Sequence, residues 1–397
     1  MSQISARIAS LAESETLAMS QKSNELKARG IDVINLSVGE PDFFTSGHIK
    51  AAARQAIDDN YSFYSPVPGY LSLRQAICKK LETENGLEFS PDQIVCSNGA
   101  KQSVCNAVLC VVDPGDEVII PAPCWVSYME MVKLAEGKSV IVRTGIEQNF
   151  KMTPARLEAA ITPKTKAIIL CSPSNPTGSI YSQPELKALA DVLAGYPDIV
   201  ILSDEIYEHI NYTGKHESIA RFENVRDRVV IINGVSKAYA MTGWRLGWLA
   251  APKWLAAACT KLQSQYSSGP SSIAQKAAEA AYQGDRQCVE DMRLAFQRRR
   301  DLIVELVSAI AGFKVNKPEG AFYLFPECSY YFGKSYNGKT IHTSADLAMF
   351  LLEEGHVACV GGLAFEAPEY LRFSYATSDE NIIEAMRRVK ETLAVLK

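Results

Sequence analysis

Gly234-Val235-Ser236-Lys237-Ala238-Tyr239-Ala240-Met241-Thr242-Gly243-Trp244-Arg245 follows the apolar run 229–232 and sets a lysine at the mouth of a buried strand. Burial penalises an ammonium, so Lys237 is either paired or shifted toward the neutral amine that forms Schiff bases. Arg245, further along the same stretch, suits a phosphate. Taken alone, a Ser-Lys pair reads as a surface lysine capping a strand end; the rest of the chain reverses that reading.

Short apolar, β-rich runs surround this stretch at 94–96, 118–120, 140–142, 167–170, 199–202, 229–232 and 246–249. They alternate with helical segments, which predicts an α/β fold with a mostly parallel seven-stranded sheet and crossover helices in a large domain, residues 48–285. A smaller α+β domain is expected to combine 1–47 with 286–397. Its expected parts are a polar helical start, a strand at 33–36, and a long charged helix through Arg298-Arg299-Arg300, whose arginines read as a solvated face. A strand at 320–325, a helix near 347–354, a strand at 371–375 and a final helix complete it.

A chain of 397 residues exceeds one core, and 47% hydrophobic residues can fill two. A net charge of −4 with both signs interspersed argues against a nucleic-acid surface and for small-molecule partners. Ten cysteines without a Cys-x-x-Cys, among them Cys96, Cys105, Cys110, Cys124 and Cys171 in or beside apolar runs, predict buried free thiols in a reducing compartment. No apolar signal segment opens the sequence and no run is long enough for a bilayer, so no membrane contact and a cytoplasmic location are expected. Histidines at 48, 209, 216, 342 and 356 lack ligand spacing, and no metal is expected.

Open parallel sheets bind ligands beyond the carboxyl ends of their strands. Four strands deliver candidates there. Ser97-Asn98-Gly99-Ala100-Lys101 opens a helix whose free N–H groups suit an anion or an ordinary cap. Cys171-Ser172-Pro173-Ser174-Asn175-Pro176-Thr177-Gly178 is a rigid turn presenting Asn175. Ser203-Asp204-Glu205-Ile206-Tyr207 sets a carboxylate among apolar walls, where it needs a cation unless it caps a helix, and Tyr207 reaches the same side. With Lys237 and Arg245, these groups complement the aldehyde, ring nitrogen, phenolic oxygen and phosphate of pyridoxal 5′-phosphate (PLP). Trp125 either stacks on the pyridine face or belongs to the core.

These motifs, in order from Gly39-Glu40-Pro41-Asp42 to Arg372, resemble the class I aminotransferases of fold type I over essentially the whole chain. The resemblance implies a PLP enzyme in which Lys237 is the Schiff-base lysine and proton carrier, and Asp204 keeps the pyridine nitrogen protonated. Tyr207 and Asn175 would bond the phenolic oxygen, and Trp125 would stack on the ring. Arg245 and the N–H groups of Gly99, Ala100 and Lys101 would hold the phosphate. Arg372 would take the substrate α-carboxylate, with Gly39 approaching through its backbone. Tyr64 resembles a tyrosine that crosses to the phosphate of a partner subunit, which implies a homodimer.

Lys101, with Thr16 in Ser14-Glu15-Thr16, resembles the bacterial aspartate aminotransferase subgroup that includes prephenate aminotransferases, where a lysine faces the distal carboxylate of an acidic substrate. Alternatively Lys101 adds charge near the phosphate. The expectation is ping-pong transfer of the amino group between L-aspartate and 2-oxoglutarate. Rival readings are a prephenate or aromatic aminotransferase, a PLP lyase, and a PLP-binding regulator without turnover. Gly234 departs from a phosphate-binding serine of many relatives and Gly361 from a proline. Residues 332–339 resemble an insertion of aspartate and prephenate members.

Overall fold

The computed structural model describes residues 4–12 and 15–397; Ser14 of the Ser14-Glu15-Thr16 run and residues 1–3 lie outside it. Seven strands form the central sheet: β1 (Ile94–Ser97), β2 (Glu117–Ala122), β3 (Lys138–Arg143), β4 (Thr165–Cys171), β5 (Val200–Asp204), β6 (Val229–Gly234) and β7 (Gly247–Ala250). Their order is β1-β7-β6-β5-β4-β2-β3, and β7 alone runs against its neighbours. All but β7 are rich in Val and Ile because helices cover both faces, so alternation is absent and β1, β5, β6 and β7 are buried throughout. Edge strand β3 is half-exposed and ends in Lys138 and Arg143, charges that discourage pairing with another sheet.

The reversed β7 matters for function. Parallel strands bring Ser97, Cys171, Asp204 and Gly234 to one sheet edge at their carboxyl ends, and an antiparallel strand reaches that edge at its start. Arg245, just before Gly247, therefore arrives beside Lys237 rather than across the sheet. Gly234 pairs with Gly247, where a β-carbon on Gly234 would lie 2.7 Å from the Gly247 Cα. A β-carbon on Gly247 would lie 2.1 Å from the Ala100 nitrogen, so helix Ala100–Val111 starts directly against this strand. The glycine at 234 is a packing requirement here. Gly361 is similarly tight, with a β-carbon 3.1 Å from Ala345.

The remaining strands lie outside this sheet. Leu371–Ser374 runs antiparallel between Val360–Gly361 and Tyr323–Leu324, and Ile34–Asn35 pairs in parallel with Val357–Ala358. Helices Gln287–Ser308, Ser344–Gly355 and Asp379–Ala394 pack around them, in a core that joins Val33, Ile34 and Leu36 to residues of the C-terminal third. The expected strand at 320–325 shrinks to Tyr323–Leu324, because Ala321 turns into a left-handed conformation with φ 55°. Residues 332–339 include part of a hairpin, Ser335–Tyr336 with Lys339–Thr340, turned by Asn337 and Gly338 at positive φ; Ser335 and Lys397 exchange backbone hydrogen bonds at 2.8 and 3.1 Å.

Two arginines of the triple run are not solvated, contrary to expectation. A helix turns about 100° per residue, so three consecutive side chains cannot share one face. Arg298 is exposed and pairs with Asp379, but Arg299 and Arg300 are 8% and 6% exposed. Arg299 donates to Asp42 at 2.7 Å and lies over Phe43, which ties the Gly39–Asp42 turn down; Arg300 covers the Tyr212 ring at 4.7 Å. The ten cysteines are all free, Cys96 and Cys124 buried and Cys105, Cys110 and Cys171 half-buried.

Restoring the serine at the β6 end should be costly. Gly234→Ser is expected to lower stability by about 1–3 kcal/mol through overpacking, measured as the shift of the urea unfolding midpoint at unchanged slope.

Candidate active site

A cavity of about 480 Å³ opens at the carboxyl edge of the sheet and is lined by Gly39, Ala100, Lys101, Trp125, Asn175, Asp204, Tyr207, Lys237, Arg245 and Arg372. Every expected site residue except Gly99 and Tyr64 is thus brought to one place. Thr16 and Leu17, at the start of helix Glu15–Ala28, close part of its rim.

Lys237 follows β6 directly, and its amine donates to the Gly39 carbonyl at 2.5 Å, with the Tyr207 ring centroid 5.7 Å away. Burial lowers its pKa to about 8; Glu40 opposes the shift, and the positive charges of Arg372 and Arg245 add to it. The amine is therefore poised to be neutral, as a nucleophile or base requires.

Asp204 ends β5 at 4% exposure. One carboxylate oxygen accepts from the Tyr128 hydroxyl at 2.6 Å and the other from the Ile206 N–H at 3.2 Å. No cation lies within ion-pair distance of it among the described residues, and burial raises its pKa to about 6. Two neutral donors hold the carboxylate and the Lys237 amine opposes the shift only from beyond ion-pair distance, so a protonated heterocyclic nitrogen fits this side chain.

Cations in the cavity are equally unpaired. Arg372 is 2% exposed; it donates to Asn175 Oδ1 at 3.0 Å and to the Ser37 carbonyl at 2.7 Å, and its buried Nε has no partner. Lys101 lies 5.0 Å over the Trp125 ring. Arg245, at φ 54°, donates to the Thr242 and Asn98 carbonyls at 2.8 and 3.1 Å. None of the three has a carboxylate partner among the described residues.

The helix entry is modified in one respect from the expectation. The Gly99 N–H donates to the Ser97 carbonyl at 2.7 Å, which leaves Ala100 and Lys101 as the free first-turn donors. Gly99 contributes space instead: at φ 84°, a β-carbon would lie 2.4 Å from Arg245 Nη2. Tyr64 is 98% exposed and lies away from the cavity of its own chain.

Three side chains were missed. Tyr128 anchors Asp204, and Tyr323 bonds the Tyr207 hydroxyl at 2.8 Å. Tyr128 follows Trp125 by one helical turn, a spacing that places both on one side; Tyr323 carried no such signal. Ser236, buried beside Lys237, also lines the cavity. Beneath the edge, His209 and His216 converge with Glu84, Glu205 and Glu208, a grouping their sequence positions conceal. Lys80 donates to Glu208 and to Asn85 there, so an ammonium already supplies cationic charge.

The chain matches the family model for aminotransferase class I and II over residues 31–389. It belongs to this family. It is 46% identical, over 98% of its length and all of the relative, to an aspartate/prephenate aminotransferase of Nitrosomonas europaea. It is also 46% identical, over 99% of its length and 83% of the relative, to a bifunctional aspartate aminotransferase and glutamate/aspartate-prephenate aminotransferase of Petunia hybrida. The aspartate aminotransferase of Rhizobium meliloti superposes with a TM-score of 0.96 at 42% identity, covering 100% of both chains. The Thermus thermophilus aspartate aminotransferase with maleate gives 0.93 at 40% identity, over 99% of this chain and 100% of that one. The architecture is accordingly the fold type I aminotransferase fold.

The uncompensated Asp204 makes a stability prediction for this family member. Its carboxyl pKa is raised on folding, so the folded state disfavours the ionised form: the cost is absent below the unfolded pKa near 4 and complete above about 6. The shift corresponds to about 3 kcal/mol. Asp204→Asn, which keeps one acceptor, should leave the cofactor-free protein more stable than the parent by about 1–3 kcal/mol near pH 8, with the gap closing toward pH 5. Denaturant titrations across that range check it.

Proposed function

We propose that this protein is a PLP-dependent aminotransferase that moves the amino group between L-aspartate and 2-oxoglutarate, working as a cytoplasmic homodimer. The observation that carries this reading is the set of unpaired charges in one cavity: Arg372 and Lys101 for the two carboxylates of an acidic substrate, Arg245 for a phosphate, and Asp204 for a cationic ring nitrogen. The names of the relatives support the same chemistry.

Bound PLP supplies a carbonyl that carries the amino group and a ring that accepts electron density. The chain's residues do the rest. Arg372 binds the α-carboxylate with two N–H groups, and Lys101 draws the distal carboxylate toward Trp125. The Lys237 amine, which bonds the Gly39 carbonyl, would take the proton from the substrate Cα, hold it as an ammonium and give it up to the cofactor C4′. Asp204, seated by Tyr128, holds a proton on the ring nitrogen. The backbone N–H groups of Ala100 and Lys101, with the Arg245 guanidinium, would hold the phosphate at a helix start.

The division into 48–285 and 1–47 with 286–397 belongs to this proposal, supported by a core that gathers residues of 19–36 with residues of 292–396, which Ile206, Tyr207 and Ile210 join, beside the cores of the main sheet. Dimerisation is supported by Phe44, Phe63 and Tyr64, which are 94%, 82% and 98% exposed. Free cysteines suit a reducing cytoplasm. A second reading, prephenate as the acceptor, rests on the names of the relatives; prephenate also carries a second carboxylate for Lys101 to meet.

L-aspartate alone should shift the visible absorption of the PLP-loaded protein, and 2-oxoglutarate should restore it; a spectrum indifferent to aspartate but responsive to glutamate with prephenate favours the second reading. Lys101→Ala should lower kcat/KM for aspartate by roughly ten- to hundredfold, the loss of a bond to a charged group worth about 1.5–3 kcal/mol. A smaller effect on alanine would complete the pattern in steady-state kinetics.

Co-expressed Lys237→Ala and Tyr64→Ala chains test the shared site. Heterodimers should regain turnover that neither parent homodimer shows in full, because one of the two sites then holds both residues; purified tandem-tagged heterodimers report it.

A further inference from the structure

Tyr323 stands where several parts of the cavity meet. It is 1% exposed and belongs to a strand outside the seven-stranded sheet. Its hydroxyl lies 2.8 Å from the Tyr207 hydroxyl, and its ring lies 4.6 Å from the Arg372 guanidinium, with Phe365 a second aromatic neighbour at 4.9 Å. It also fills the space beside Gly39, where a β-carbon would come within 2.6 Å of the Tyr323 oxygen.

Resting on the aminotransferase reading, we propose that Tyr323 is a positioning residue with two separable roles, its hydroxyl directing the Tyr207 hydroxyl and its ring fixing the plane of Arg372. A phenol has one proton to donate and lone pairs to accept with. When Tyr207 gives its proton to an anionic ligand oxygen, Tyr323 can give its own to Tyr207, and a donor that also accepts is the stronger donor. The ring acts differently. A guanidinium donates from its edge and stacks through its face, so a ring against the face, together with the bonds to Asn175 and Ser37, leaves the edge oriented for a carboxylate. Because Tyr323 is carried by a strand outside the main sheet, it links the hydroxyl of Tyr207 to the substrate-holding Arg372.

The test uses the PLP-loaded, full-length protein with Tyr323→Phe, which keeps the ring, and Tyr323→Leu, which keeps neither feature. Two readouts besides activity are the pH midpoint of the visible band without substrate and the Kd of maleate by spectral titration. Tyr323→Phe is expected to raise the midpoint and lower kcat for aspartate about tenfold, with maleate affinity within about twofold of the parent. Tyr323→Leu is expected to weaken maleate by about tenfold as well; if it does not fold, Tyr323→Met serves the same arm. An unmoved midpoint in Tyr323→Phe, or equal maleate affinity in the ring-keeping and ring-lacking variants, overturns the proposal. A parent protein that does not turn over aspartate counts instead against the reading on which it rests.

Discussion

The contact between Gly234 and Gly247 is the constraint on which the site depends. Two strands that meet with no β-carbon between them are locked in register and depth, and the start of helix Ala100–Val111 rests on the same place. From that contact the chain reaches Lys237 in one direction and Arg245 in the other, and the helix presents its first N–H groups. An amine and an anion cradle are thus set by backbone packing, the least adjustable part of a protein, rather than by side-chain rotamers.

The same region carries a charge pattern that a folded protein ordinarily avoids. Asp204 is a buried carboxylate without a cation, and Arg372 a buried guanidinium without a carboxylate. They could have neutralised each other, but they are held apart by separate neutral partners: Tyr128 and the Ile206 N–H on one side, Asn175 and the Ser37 carbonyl on the other. Neutral hydrogen bonds keep each group oriented without satisfying its charge. Stability is thereby traded for the capacity to receive a ligand of opposite charge, a trade expected at an active site.

Much of this arrangement could be read from the sequence. All seven sheet strands were legible as short apolar runs, most of them rich in Val and Ile, and the residues just beyond them were legible as candidates because a parallel sheet collects its carboxyl ends. What stayed hidden needed a partner distant in sequence. Tyr323 is one of many aromatic residues until the fold sets it against Tyr207 and Arg372. Arg299 and Arg300 looked like surface charge because a run of arginines shows no face until the helix is packed. The Lys80 network could not be foreseen from histidines that share no spacing. Gly234, read as a departure, is explained only by the strand beside it.

The anion-binding donors of the cavity already bond neutral groups of the chain: Lys237 the Gly39 carbonyl, Tyr207 the Tyr323 hydroxyl, and Arg372 Asn175 and the Ser37 carbonyl. Each of these three side chains therefore has an acceptor, while Arg372 Nε is left without one. A neutral acceptor is nevertheless a weak competitor for a carboxylate or phenolate, which forms a charge-assisted bond about twice as strong. A ligand anion can thus replace one of these internal bonds or add to it through an unused donor, such as Arg372 Nε. Affinity then reflects the difference between charged and neutral acceptors and is reserved for ligands carrying anions at the right places, so the internal partners act as a filter on substrate chemistry as well as a scaffold.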